Sequence, residues 1–131
     1  MFKKKDIFKV KSIPLDPATM RNPTTADDYM KRGIAFYARK QYDRSEDDLK
    51  AAISLDPELV DAYYNLGLML KAVFRKEESI QAFEKYIDLI SNGLVKNHDR
   101  AEMLRRLAMG HINEQRTGDW NLEKEIWHRI T

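Results

Sequence analysis

The sequence predicts an all-α solenoid built from about three antiparallel helix pairs, and three observations predict it. The chain repeats itself at an offset of 34 residues: Tyr29-x-x-Arg32-Gly33-x-x-Phe36 aligns with Tyr63-x-x-Leu66-Gly67-x-x-Leu70. The register persists downstream, where Ser45 pairs with Ser79, Leu49 with Phe83 and Ala52 with Tyr86. From residue 26 onward apolar residues recur three and four apart, the period of a helix with one buried face. The body also lacks the alternation that marks a strand. A fixed period of this length is one helix–turn–helix unit, which cannot bury its apolar face alone and stacks on copies of itself.

Residues 1–25 read as an extended basic leader. Pro14, Pro17 and Pro23 fix their own φ and push the preceding residues out of the helical region. Thr24 or Thr25 is placed to cap a first helix over about 26–39, with Asp27 and Asp28 in its first turn, where the helix dipole favours negative charge. Tyr29, Gly33, Phe36 and Tyr37 mark this helix by their spacing. Asp43 or Ser45 can cap a second helix, which runs through Leu49, Ala52 and Ile53 to Asp56-Pro57. A third carries Ala62, Tyr63, Leu66, Gly67 and Leu70. A fourth carries Ile80, Phe83, Tyr86, Ile87 and Ile90 and ends at Asn92-Gly93. The remaining residues, 94–131, are helical but out of phase. Leu104, Leu107 and Ala108 can take the places of Tyr63, Leu66 and Gly67, seven residues late. Thr117-Gly118-Asp119 makes a turn, and Leu122, Ile126 and Ile130, with Trp120 and Trp127 beside them, form a closing stripe. This segment is either a divergent third pair or a C-terminal cap.

Composition narrows the function classes. At 131 residues, 34% of them charged, the chain suits one domain with a modest core and much exposed helix surface. No apolar run reaches the roughly 18–20 residues that cross a bilayer, so no membrane insertion is expected. The start, Met1-Phe2-Lys3-Lys4-Lys5, lacks a following apolar stretch and does not read as a secretory signal. The absence of cysteine removes disulfides and thiolate metal sites, in keeping with a cytoplasmic location. The net charge of +2 divides into +4 on residues 1–25 and −2 on the rest. No basic stripe extends into the body, and no nucleic-acid role is expected.

At these residues the chain resembles the tetratricopeptide repeat family, whose pattern is W-x2-L-G-x2-Y, then A-x3-F, then P. Repeats would span 26–59 and 60–93. Tyr63, Leu66, Gly67, Leu70, Ser79 and Phe83 fall on the pattern in the second, and Tyr29, Gly33, Phe36, Ser45, Leu49, Ala52 and Pro57 in the first. Arg32 stands where leucine is expected, Ser45 and Ser79 replace alanine, and Ser91 replaces proline.

The resemblance implies a right-handed superhelix whose first helices, one per pair, line a concave groove at repeat positions 2, 5, 9, 12 and 13. On this chain those are Asp27, Met30, Ile34, Tyr37 and Ala38, then Asp61, Tyr64, Leu68, Lys71 and Ala72. The third unit adds Glu102, Arg105, Met109, Ile112 and Asn113. Met30, Ile34, Tyr37, Tyr64, Leu68, Met109 and Ile112 would make an apolar strip edged by three acids, which suits a protein or peptide partner that is apolar with some basic residues. A carboxylate-gripping clamp found in some family members is not expected, because Met30, Ile34 and Glu102 stand where Lys, Asn and Lys belong, although Asn65 and Arg106 fit. The function expected is a protein–protein interaction adaptor or scaffold. Its alternatives are a chaperone of a secreted subunit, or a homo-oligomeric structural subunit whose leader, rich in Lys3 to Lys11 and interleaved apolar residues, docks in a groove. No catalytic residue, cofactor or metal is expected. His98, His111 and His128 lack metal-ligand spacing, His111 reads as a structural histidine between helices, and Asp47-Asp48 read as a solvated face.

Overall fold

Two glycines set how closely the helices of each pair approach. The structure, a computed structural model, describes residues 16–120. Among them the order is a short 3-10 turn (Pro17–Thr19), α1 (Ala26–Ala38), α2 (Tyr42–Leu55), α3 (Val60–Ala72), α4 (Lys76–Leu89), a wide π-type turn (Ile90–Leu94) and α5 (His98–Thr117), with no strand. A Cβ placed on Gly33 would lie 2.9 Å from Leu49 of α2, and one on Gly67 would lie 2.8 Å from Phe83 of α4. Any side chain at either position would wedge its pair apart. The serines facing them are fully buried, and each hydroxyl donates 2.7 Å to the glycine's own carbonyl, Ser45 to Gly33 and Ser79 to Gly67. Alanine at those positions would fill the space but leave the bond unmade.

The boundaries follow local chemistry. The Thr25 hydroxyl accepts from the Asp28 N–H at 3.1 Å and opens α1. The second helix begins earlier than its expected caps, at Tyr42, with Gln41 at the cap position making no side-chain bond. Ser45 is unavailable for capping because it points into the pair, and Asp43 lies in the first turn. Helices α1 and α3 end alike. Lys40 and Phe74, 34 residues apart, adopt φ of 60° and 63°. The N–H groups that follow bond backwards in the same two-bond pattern, Gln41 to Phe36 and Lys40 to Tyr37, then Arg75 to Leu70 and Phe74 to Lys71. This is a Schellman closure built without the glycine that usually supplies the left-handed residue. Gly93 does supply it within the π-type turn, and Gly118 after α5.

The core runs through the stack as two touching clusters. Leu49, Ala52, Ala62, Leu66 and Leu70 belong to one, and Tyr63, Phe83, Tyr86, Ala108 and Ile112 to the other, with Ile53 of α2 packed against both. A polar clip reinforces the junction between the pairs, where Arg75 donates to Glu46 at 2.7 Å.

A third unit in phase would begin at residue 94, whereas α5 begins at His98, the π-type turn and Val95–Asn97 taking up the delay. The helix is also turned about its axis. Leu107 is 37% exposed although its counterpart Leu66 is 8% exposed, and Ile112, expected on the groove, is 1% exposed within the core. Ala101, Leu104, Ala108 and Ile112 make the stripe that faces the second pair. The expected closing stripe of Leu122, Ile126 and Ile130 lies outside the described residues, as does the leader through residue 15.

The described end of the leader is anchored to α1. Pro17 is buried, and the Arg32 guanidinium donates to the Met20 carbonyl at 3.1 Å. The same guanidinium grips Asp48 of α2 through two parallel bonds of 2.7 and 2.8 Å. Asp48 is 5% exposed, so the expectation that it sits on a solvated face is corrected: it is the buried partner of the arginine that replaces the family leucine. Asp47 beside it is exposed.

Candidate partner-binding face

Each residue expected on the groove belongs to α1, α3 or α5, and the three helices treat them differently. On α1, Met30 is buried within the core cluster, and Ile34 and Tyr37 are half-buried against it. Tyr37 also meets Tyr42 across the turn, ring centroids 6.0 Å apart. Burial raises the Tyr37 phenol pKa. Asp27 is exposed and pairs with Lys31 one turn on, at 2.8 Å.

On α3, Leu68 is half-buried and Asp61 exposed. Tyr64 and Lys71 instead reach α5 through His111. The Lys71 ammonium, which can only donate, lies 3.1 Å from Nδ1 of His111 and 2.8 Å from a Glu114 carboxylate oxygen. Nδ1 must therefore accept, the imidazole proton sits on Nε2, and it is donated to the Tyr64 hydroxyl at 3.1 Å. The ring stacks on Phe83 at 4.9 Å between centroids and meets Trp120 in a T-shaped contact at 4.8 Å. Trp120 reaches there because Gly110 has no side chain; a Cβ would collide with the indole. Burial, with the Lys71 charge second, lowers the His111 pKa to about 4, so the ring is neutral across the physiological range. The expectation of a structural histidine between helices agrees with this geometry.

On α5, Met109 is half-buried against the second cluster, and Arg105 lies 3.7 Å from Glu102. Ile34 and Tyr37 thus pack against the first core cluster, and Leu68 and Met109 against the second. Tyr64 and Lys71 are struts to α5, and Met30 and Ile112 are core. The His111 junction escaped the sequence because it depends on the turned α5. The Arg32–Asp48 pair carried a readable signal: both residues depart together from their counterparts Leu66 and Ala82. No group of three or more His, Cys, Asp or Glu side chains that could hold a metal occurs among the described residues, and no described helix is long and apolar enough to cross a membrane.

This architecture defines a class: an all-α array of helix pairs stacked at a 34-residue period, each pair closed on a glycine. Two family models match, one described as TPR repeat over residues 33–72 and one as tetratricopeptide repeat over residues 60–92. Residues 33–92 are thus tetratricopeptide repeats. It is similar to the small glutamine-rich tetratricopeptide repeat-containing protein 2 of Saccharomyces cerevisiae, 36% identical over 67 residues, which cover 51% of this chain and 19% of that protein. It is also similar to the peroxisomal targeting signal receptor of Candida albicans, 36% identical over 64 residues, 49% of this chain and 11% of that one. The chain thus spans less than a fifth of either relative. The crystal structure of MamA shares the fold, with a TM-score of 0.62 at 24% identity over 96% of this chain and 77% of that one.

Proposed function

We propose that the chain is a non-enzymatic protein–protein interaction module that holds a segment of a partner protein along the shared face of α1, α3 and α5. The reading is supported by half-buried apolar side chains on each of α1, α3 and α5: Ile34 and Tyr37, Leu68, and Met109. Half-burial leaves each of them apolar area to cover, worth about 25 cal/mol per Å² when a partner removes it from water. Asp61, exposed at the start of α3, adds a carboxylate at the edge and favours a basic residue in an otherwise apolar partner segment. The tetratricopeptide repeats of residues 33–92, and a relative named as a targeting-signal receptor, support a recognition role.

The test is capture of partners from a native lysate with the chain and with an Ile34→Glu/Leu68→Glu variant, after circular dichroism confirms that the variant is folded. The reading expects proteins held by the parent chain to be lost from the variant. Equal capture by both would refute it.

A further inference from the structure

One stripe of α5 is apolar, exposed and outside both core clusters. We propose that residues 121–131 dock along it, on Met103, Arg106, Leu107 and Gly110, so that this surface belongs to the chain itself and not to a partner. The four residues are three or four apart and therefore share one face of the helix. Met103 is 56% exposed and Leu107 37%, and neither packs against a core cluster. Beside them, Arg106 has a buried Nε that finds no hydrogen-bond partner among the described residues. Apolar side chains left in water next to an unsatisfied guanidinium mark a helix face that lacks its cover.

The start of that cover is in place. Gly118 turns the chain after α5 with φ of 78°, and Asn113 donates to the Trp120 carbonyl at 3.1 Å. The Trp120 indole then fills the space left by the missing side chain of Gly110. Both earlier pairs use the same device, Leu49 of α2 against Gly33 of α1 and Phe83 of α4 against Gly67 of α3. In all three cases a glycine receives a side chain from the stretch that follows its own helix, so the chain after α5 returns onto α5. Eleven residues follow Trp120. Even wound as a helix they span about 16 Å, more than the roughly 10 Å from Gly110 back to Met103.

The chemistry of those residues matches the stripe. Leu122, Ile126 and Ile130 are four apart, as are Met103 and Leu107, so two apolar rows of one period meet. Glu123 and Glu125 bring carboxylates to the side of Arg106. An apolar segment with a basic residue, the kind proposed for the partner face, would instead set like charge against that arginine. The inference stands apart from the partner reading, since it concerns only contacts within the chain.

The chain has no cysteine, so a single introduced thiol reports accessibility at one position. Leu107→Cys and Met103→Cys variants of the full chain are labelled with a thiol reagent, each with and without Leu122→Glu/Ile126→Glu/Ile130→Glu. An Ala52→Cys variant, at a core position with no exposure, reports whether those replacements loosen the array. Both thiols on α5 are expected to react at least about tenfold faster once the three glutamates are present, with the Ala52→Cys thiol unreactive throughout. Protection in the unaltered tail is expected to be independent of chain concentration. Equal rates with and without the glutamates, an acceleration shared by the Ala52→Cys thiol, or protection lost on dilution, which would assign the stripe to a second copy, would overturn the proposal.

Discussion

At the residue scale, Gly67 and Phe83 show how little room the pairs leave. Gly67→Ala puts a methyl group 2.8 Å from the Phe83 ring, itself fully buried and unable to retreat. Overpacking of this kind costs about 1–3 kcal/mol, read as a lowered midpoint in urea denaturation. Alanine for either buried serine would strand its glycine partner's arrangement less severely, by about 1 kcal/mol. The Arg32–Asp48 pair makes a sharper case. Asp48→Ala leaves a largely buried guanidinium without its carboxylate and is expected to cost about 3 kcal/mol. Arg32→Leu does the reverse and costs a similar amount. The double variant installs the pair that the second repeat uses, Leu66 with Ala82, and should recover to within about 1 kcal/mol of the parent. A double-mutant cycle in urea checks it; additive losses would mean that the two residues act independently.

At the element scale, Phe74 holds a left-handed conformation with φ of 63° and is 92% exposed, so its ring gives nothing back for the strain. Phe74→Gly should therefore raise stability by about 1 kcal/mol, seen as a higher thermal midpoint. The junction of α3 with α5 predicts a pH dependence. His111 has a folded pKa of about 4, below the ordinary 6.5, so the folded chain binds fewer protons there than the unfolded chain. The stabilisation is present above pH 6.5 and is lost as pH falls towards 4, by roughly 3 kcal/mol. Urea midpoints measured across that window should fall for the parent and fall less for His111→Gln. Helix positions, the glycine contacts and the closure at Gly93 were legible in the sequence because each follows from spacing within one pair. The start of α2 was not, since Ser45 reads equally as a cap and as a buried small residue. Nor was the rotation of α5, because spacing defines an apolar face and not which neighbour receives it. Ile112 and Leu107 consequently exchanged roles: the expected groove residue is core, and the expected core residue is exposed.

At the scale of the whole molecule, the proposed partner face gathers half-buried apolar side chains of α1, α3 and α5, with Asp61 exposed at the start of α3. Binding there should change little as ionic strength rises, read as the affinity of a captured partner at low and high salt. Several charges along the apolar face are already satisfied locally, Asp27 by Lys31 and Lys71 by Glu114, so they contribute structure more than steering.

The most direct measurement is an amide NMR map of the chain with and without a partner captured through Leu68. Perturbations are expected to concentrate in residues 27–38, 61–72 and 102–113, with α2 and α4 largely undisturbed. Perturbations centred on the outward surfaces of α2 and α4, with Ile34, Leu68 and Met109 unchanged, would contradict it.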